Sequence, residues 1–194
     1  MDKKIQKLLE TNKIKYKLTE HRKVYTAFNE AQTQHVDPKS VVKTVLIKLS
    51  KPITHLIETP SRNLAAAKNT QVIDCVLVAV PSKKRVDFKK IAKVINDHQA
   101  KSYKILVKDN PKLKKPSNIT VTISKEKDII SKFKTKIGLL TAFSQIYNVP
   151  LLFDKKLSSN KKLIISAGSY TESIEITTKD FLKILRGIQG NFTE

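Results

Sequence analysis

The chain has 194 residues, and its 38 Lys and Arg residues outnumber 17 Asp and Glu residues to give a formal net charge of +21. This length suits one domain that folds on buried apolar surface alone, and the single cysteine excludes an internal disulfide and a Cys-rich zinc site. The charge favours a polyanionic partner such as nucleic acid, although only four basic residues are arginine, so a lysine-rich genome composition is an alternative origin.

The N-terminal region predicts two short helices around one strand. Ile5, Leu8 and Leu9 fall on one helical face, a half-buried strand is expected from Tyr16, and Thr26 can cap a second helix. The first residues are charged and lack the apolar core of a secretory signal. No apolar run is long enough to span a bilayer, so we expect a cytoplasmic protein that has no membrane partner.

Two strands follow, separated by a less regular stretch. Residues 41–49 are β-branched and apolar and predict a strand, in which Lys43 is an unexpected charge. Residues 50–71 are irregular, with a candidate strand at 55–57. Residues 72–80 are almost entirely apolar and predict a central strand that is covered on both faces.

The middle of the chain predicts helices that alternate with short strands. Asp87 can cap a helix, and 104–107 reads as a short strand. Residues 109–118 hold two prolines and three lysines, which indicates a surface loop. Residues 119–123 alternate as a strand, after which Ser124 can cap a helix.

The C-terminal region predicts three strands and a final helix. The strands are expected at 150–153, 162–166 and 172–176, and Thr177 with Asp180 has the spacing of a capping box. Because strands and helices mix without strict alternation, we expect an α+β fold. No linker rich in proline or glycine divides the chain, so a single domain is predicted.

Several common kinds of site are excluded by the residue pattern. The four glycines do not cluster as in a phosphate-binding loop, the four histidines lack metal-ligand spacing, and no serine has a nucleophile-elbow context. Tryptophan is absent and aromatic residues are 6% of the chain, which gives little support to a stacking platform for single-stranded RNA. No recognition helix for duplex DNA is evident.

Two places in the sequence are chemically unusual. Lys43 stands in an otherwise apolar strand, where lysine is seldom fully buried unless paired. It could extend to solvent, pair with a carboxylate or face a cleft. Residues 138–143 (Gly-Leu-Leu-Thr-Ala-Phe) are uncharged and follow three lysines. A loop that begins with glycine can bring backbone N–H groups close to a ligand, but a strand entering the core fits the same letters.

Taken in order, these segments resemble the YbaK/ProX family, the free-standing relatives of the editing domain of bacterial prolyl-tRNA synthetase. No single motif is diagnostic, but their order covers most of the chain. The matching segments are Lys7–Tyr16, Glu20-His21 with Tyr25-Thr26, Val42-Lys43-Thr44-Val-Leu-Ile47, Val78–Val94, Val149-Pro150 with Phe153-Asp154, Ile164–Gly168 and Ile174–Leu185.

The resemblance implies a mixed, barrel-like β-sheet surrounded by helices, formed by one editing domain over residues 1–194. It implies hydrolysis of mischarged tRNA, with cysteinyl- or alanyl-tRNA for proline as the usual substrates and no cofactor or metal. Lys43 and Gly138 would be the catalytic positions. The residues expected to contact substrate are Thr44, His21, Thr26, Thr141, Ala142, Phe143, Asp154, Gly168 and Ser169.

The chain departs from the family pattern at three places. Ala142 stands where the family's glycine loop usually has proline, and Ser169 stands where some members have histidine. The connection within 50–71 is longer than usual, which indicates an insertion. The expected partners are the aminoacylated 3′ end of tRNA and a synthetase, with prolyl-tRNA synthetase as the candidate, and DNA is not expected. The alternatives are a tRNA-binding module that has lost catalysis and a general basic RNA-binding protein.

Overall fold

The computed structural model describes residues 1–53 and 72–194. Within them the helices are α1 (Lys3–Thr11), α2 (Ala27–Thr33), α3 (Phe88–Asp109), α4 (Glu126–Phe133), α5 (Lys155–Ser158) and α6 (Thr178–Ile184). The strands are β1 (Tyr16–Glu20), β2 (Val42–Ile53), β3 (Ile73–Pro81), β4 (Val121–Ile123), β5 (Leu151–Asp154), β6 (Lys162–Ser166), β7 (Glu172–Thr177) and β8 (Gly187–Gly190). A short 3₁₀ helix spans Ser144–Tyr147. The predicted strand at 55–57 and most of the predicted insertion lie outside the described residues.

The strands form two sheets. The larger has the order β4-β2-β3-β5-β8, with antiparallel pairing from β4 to β3 and parallel pairing from β3 to β8. The smaller is antiparallel, in the order β1-β7-β6. A single bridge between Val41 and Ile164 connects them. The α+β prediction is confirmed, but the sheets of the described chain do not close into a barrel.

The centre of the larger sheet is β3, as its apolar sequence predicted. Val76, Val78 and Val80 pack with Ile91 and Ile95 of α3 on one face. The other face of β3 packs toward α1, α6 and the smaller sheet in a second apolar cluster. A strand covered on both faces needs apolar residues at consecutive positions, which explains why alternation is absent from this segment.

The predicted strand at 104–107 is wrong, because α3 continues through these residues to Asp109. Three consecutive apolar residues are too few to distinguish a helix from a strand by their periodicity. Residues 110–120 then contain no helix or strand, as expected for most of the predicted lysine-rich loop. No helix of the described chain is long and apolar enough to cross a membrane.

Helix caps agree with most of the sequence predictions. Thr26 Oγ1 accepts from Asn29 N at 3.1 Å, and Asp87 caps α3 through Lys89 N and Lys90 N at 3.0 and 3.1 Å. Thr177 caps α6 through Asp180 N at 3.1 Å. The cap predicted at Ser124 is wrong, because the N-cap residue of α4 is Lys125, one residue later.

The feature of the fold that positions the site is an uncovered edge of β2. The short strand β4 pairs only with Ile47–Leu49, and the backbone N–H of Ser124 donates to Leu46 O at 3.0 Å beyond it. The edge of Val42–Thr44 therefore has no neighbouring strand within the described residues on that side.

Candidate active site

A cavity of about 270 Å³ lies along this uncovered edge. Its walls come from the N-terminal half of β2, the segment that leads into α2, the turn at Gly138 and the ends of β4 and β6. Apolar side chains such as Val42, Leu46 and Leu140 contribute much of the lining. A largely apolar cleft with a few polar groups is the usual form of a small-ligand site.

Lys43 stands at this cavity on the strand where the sequence predicted it. Its side chain is half-buried, and Nζ donates a hydrogen bond to the carbonyl oxygen of Lys84. No salt bridge found in the described residues includes Lys43. Desolvation by burial, and to a lesser degree the nearby Arg85 charge, lower the pKa of its ammonium group. The group therefore has N–H donors to spare and no carboxylate that neutralises it.

The turn after β3 adds further positive charge beside Lys43. Lys83, Lys84 and Arg85 are all exposed, and Lys83 Nζ lies 5.7 Å from the ring centre of Phe28. We call Lys43 with these three residues the Lys43 end of the cavity. Such a cluster attracts anions such as phosphate groups.

The register of β2 directs backbone groups into the cavity as well. Leu46 O accepts from the β4 side, and backbone groups alternate in direction along an antiparallel strand. The N–H and C=O groups of Val42 and Thr44 consequently point away from β3 and toward the uncovered edge. This edge offers a ligand both a donor and an acceptor.

Gly138 forms a turn at the opposite wall. Its φ is +83°, and a Cβ built there would lie 2.6 Å from the carbonyl oxygen of Tyr25. Leu139 N donates to Lys136 O at 3.1 Å, which closes the turn. Glycine is required here both by the left-handed backbone and by the close approach of Tyr25. Gly138 therefore lies in a turn and not in a strand that enters the core, the alternative that the sequence left open.

The structure brings together six of the predicted site residues and separates five others. Lining the cavity are Lys43, Gly138, Thr44, His21, Thr26 and Ser169. Outside the lining are Thr141, Ala142, Phe143, Asp154 and Gly168. The glycine loop divides after Leu140, because its next three residues turn into the core and are buried.

Asp154 has a structural position that explains its burial. Its Oδ1 accepts from Lys156 N at 2.8 Å, which caps α5, and its Oδ2 accepts from Phe192 N at 2.7 Å. These bonds tie β5 to the C-terminal residues. The expected contact of Asp154 with substrate is therefore not supported by its place in the fold.

A buried polar network at the cavity was missed by the sequence analysis. Glu30 lines the cavity and is 7% exposed. The hydroxyl of Ser173 donates to Glu30 Oε1, and His21 Nε2 lies 2.7 Å from Ser173 Oγ. Gln34 Nε2 donates to Ser173 Oγ at 3.1 Å. We call these four residues the Glu30 end of the cavity.

Burial raises the pKa of Glu30 from its ordinary value, while Ser173, His21 and Gln34 oppose that shift. The sequence signal was weak, since Glu30 reads as one of the polar positions on an amphipathic helix. The pairing of β1 with β7 brings His21 next to Ser173, and Ser173 in turn contacts Glu30. In the described residues no group of three or more His, Cys, Asp or Glu side chains is arranged to hold a metal ion.

Comparison with known families and structures gives a consistent result. A family model described as "Aminoacyl-tRNA editing domain" matches residues 109–184, which include the Gly138 turn but not Lys43. No curated protein matches the chain.

Three similar solved structures extend over nearly the whole chain. One is described as the hypothetical protein APE2540, at 14% identity and a TM-score of 0.65, covering 99% of this chain and 100% of that one. A scaffold from epitope grafting by computational design has 15% identity, a TM-score of 0.63 and coverage of 100% and 99%. A "putative trans-editing enzyme for prolyl tRNA synthetase" has 16% identity, a TM-score of 0.61 and coverage of 98% and 94%. At these identities the likeness shows the fold.

The chain is thus an α+β protein whose fold is similar to that of these structures, with a ligand-sized cleft at an open sheet edge. The family model adds that residues 109–184 of this fold are similar to an aminoacyl-tRNA editing domain. The resemblance predicted from the order of the sequence motifs is confirmed at this level.

Proposed function

We propose that this protein hydrolyses the ester that joins a wrongly attached amino acid to the terminal adenosine of tRNA, as a free-standing enzyme of the YbaK/ProX type. Cysteinyl- and alanyl-tRNA for proline are the substrates to test first. One observation carries the proposal: Lys43 and Gly138, which are distant in sequence, line the same cavity. Editing is also the function of the family whose model matches the chain.

The protein need not supply a strong nucleophile, because an aminoacyl ester is already activated. A water oxygen adds to the ester carbonyl carbon, and a tetrahedral oxyanion forms. The ester C–O bond then breaks, and the ribose oxygen leaves with a proton that came from the water. Positioning of the water and stabilisation of the oxyanion suffice for such a step.

Lys43 acts in this proposal as a cation that contacts the terminal phosphate, the ribose or the developing oxyanion. A charge-assisted hydrogen bond of this kind contributes about 1.5–3 kcal/mol. A role as general base ranks lower, because a base needs a pKa of about 7 and burial would have to lower the lysine pKa strongly from its ordinary value of 10.5. Backbone N–H groups at Gly138 hold the carbonyl side of the substrate.

The rest of the tRNA is held by groups around the cavity. Thr44 and Ser169 contribute polar groups to the walls, and Lys83–Arg85 contact phosphates without selecting sequence. Tyr25 is 57% exposed at the cavity, and its ring is 4.9 Å from that of Tyr170. This pair offers a stacking surface for the terminal adenine. We expect the reaction to take place in the cytoplasm, with prolyl-tRNA synthetase as a partner to test.

The test is release of amino acid from a panel of aminoacyl-tRNAs. We expect release from cysteinyl- or alanyl-tRNA for proline and much slower release from correctly charged prolyl-tRNA. No release from any mischarged tRNA would refute the proposal.

A second function is favoured by one residue. Ala142 stands in place of the family's proline and is buried. Because alanine does not fix φ as proline does, the loop lacks that restraint behind its turn. A tRNA-binding module accessory to a synthetase would bind the aminoacylated 3′ end and release nothing. Equal affinity for any RNA would instead indicate a general basic RNA-binding protein.

A further inference from the structure

Among the residues that line the cavity, Glu30 is the acidic one. It is 7% exposed in a chain whose formal net charge is +21. A carboxylate buried in an apolar cleft is costly unless it is paired. Glu30 and Lys43 place opposite charges in the walls of one cavity. A ligand with a cationic group would pair with Glu30.

The hydrogen bonds of Glu30 leave one oxygen for such a ligand. Ser173 and Gln34 both donate to Oε1, the latter at 3.4 Å. Oε2 accepts no hydrogen bond from the described residues. A carboxylate oxygen has two acceptor sites, so Oε2 can receive N–H donors from the cavity.

Hydrogen bonds from Ser173 and Gln34 and the charge of His21 favour the charged form of Glu30, against the larger effect of desolvation. The carbonyl of Arg22, 2.8 Å from His21 Nδ1, can only accept, so Nδ1 carries a hydrogen. The Ser173 hydroxyl donates to Glu30 Oε1, and His21 Nε2 lies 2.7 Å from the same hydroxyl oxygen. These contacts hold the Oε1 side of the carboxylate, which leaves Oε2 as the oxygen that can receive a ligand.

The cavity thus has a positive end and a negative end, and an aminoacylated 3′ terminus has the matching groups. Its phosphate is anionic, and the α-amino group of its amino acid is an ammonium at neutral pH. We propose that Glu30 is a specificity-determining residue that binds the α-ammonium of the aminoacyl group through Oε2. This inference rests on the proposed function. Glu30 would select aminoacyl esters with a free α-ammonium over esters whose nitrogen is absent or acylated.

The experiment compares alanyl-tRNA with lactyl-tRNA, in which a hydroxyl replaces the ammonium at nearly the same size. Each enzymatic rate is divided by the spontaneous rate, because the ammonium itself activates the ester. We expect the wild type to prefer alanyl-tRNA by roughly tenfold or more, as for other charge-assisted contacts. Glu30→Gln should bring the ratio close to one while retaining activity on lactyl-tRNA.

The matched control is Glu20→Gln, which removes an exposed carboxylate next to His21 that does not line the cavity. It should keep the wild-type ratio. Equal preference in the wild type, or a ratio unchanged in Glu30→Gln, would overturn the inference. An equal loss of rate on both substrates would also overturn it, since it would indicate a role in catalysis or folding.

A binding measurement separates this inference from the proposed function. The probes are 3′-alanylamino-3′-deoxyadenosine 5′-phosphate, which has a stable amide, and its lactyl counterpart. If the wild type binds the alanyl amide more tightly and hydrolyses no ester, the proposed function fails while ammonium binding by Glu30 stands. If esters are hydrolysed but both amides bind alike, the proposed function stands and ammonium binding by Glu30 fails. The wild-type comparison needs no variant, so it remains decisive even if Glu30→Gln does not fold.

Discussion

The two ends of the cavity are built in different ways. The Lys43 end consists of Lys43, whose Nζ donates to a single backbone carbonyl, and three exposed basic residues of the neighbouring turn. The Glu30 end is a network of four side chains from α2, β7 and the segments beside them, in which Glu30 and Ser173 are buried. The first is open to solvent and exposes its charge, whereas the second fixes a charge by hydrogen bonds from several elements.

This difference explains why one end can be predicted from sequence and the other cannot. A lysine in an apolar strand contradicts its local context, so a single sequence is enough to single it out. Glu30 fits its helix, because polar residues are ordinary on one face of an amphipathic helix. Its significance comes from contacts with residues distant in the chain.

The largest effect is expected at the Lys43 end. Lys43→Ala should lower the rate of deacylation by about 10- to 100-fold, the equivalent of a charge-assisted hydrogen bond. The free energy of unfolding should change by no more than about 1 kcal/mol, because the lost contact is one bond to a backbone carbonyl at a half-buried site. Single-turnover deacylation and urea unfolding measure the two quantities.

Lys48→Ala is the control for that variant, because it removes an exposed lysine from the same strand. It should leave the rate unchanged. If Lys43→Ala deacylates at the wild-type rate, the cationic role at this end is wrong and the comparison between the two ends fails.

The wall between the ends is tested next. Gly138→Ala forces a residue with a Cβ to a φ of +83° and places that Cβ 2.6 Å from Tyr25 O. We expect a loss of stability of about 1–3 kcal/mol together with a loss of deacylation. Gly168→Ala provides the comparison, because φ is +77° there but the nearest atom is the side-chain Asp2 Cβ at 3.1 Å.

Both glycine variants should be destabilised, and Gly138→Ala should lose more activity at a temperature where each is folded. Equal loss of activity would show that Gly168 acts on the substrate as the sequence predicted, or that the Gly138 turn has no special role.

The sequence gives much of the fold and about half of the candidate site. Caps at Thr26, Asp87 and Thr177 are local interactions, so their residue types are sufficient to predict them. The strand at 104–107 failed because a short apolar run is ambiguous until its packing is known. The site residues that failed to meet the cavity, such as Ala142 and Phe143, lie just beyond the point where the loop turns into the core.

A smaller effect is expected from the hydroxyl that joins the parts of the Glu30 end. Ser173→Ala removes the donor to Glu30 Oε1 and the oxygen beside His21 Nε2. Polar groups of Glu30, His21 and Gln34 would each lose a partner, at a cost of about 1–3 kcal/mol in the free energy of unfolding. The preference for an α-ammonium should weaken as Glu30 becomes less ordered.

Ser144→Ala is a suitable control, since Ser144 is also 1% exposed and its Oγ is buried without a hydrogen-bond partner among the described residues. This variant should be neutral or slightly stabilising. Equal costs for the two serines would mean that the network contributes nothing beyond packing.

The smallest effect is the pH dependence that Glu30 gives to stability. Burial raises the pKa of Glu30 from its ordinary value of 4.5, so the folded chain holds this proton more tightly than the unfolded chain does. The resulting stability is fully present below pH 4.5 and is lost as the pH rises through the folded pKa. The loss is about 1.4 kcal/mol for each unit by which the pKa is raised.

Glu30→Gln does not titrate at this position, so urea unfolding of both proteins from pH 4 upward isolates the effect. The stability of the wild type should fall relative to that of the variant as the pH rises, and the same series on Glu20→Gln corrects for the loss of one charge from a basic protein. A relative stability that rises with pH would mean that Ser173, His21 and Gln34 outweigh the desolvation of Glu30. In that case the hydrogen bonds would favour the charged carboxylate of Glu30. The two ends would then differ only in the sign of their charge.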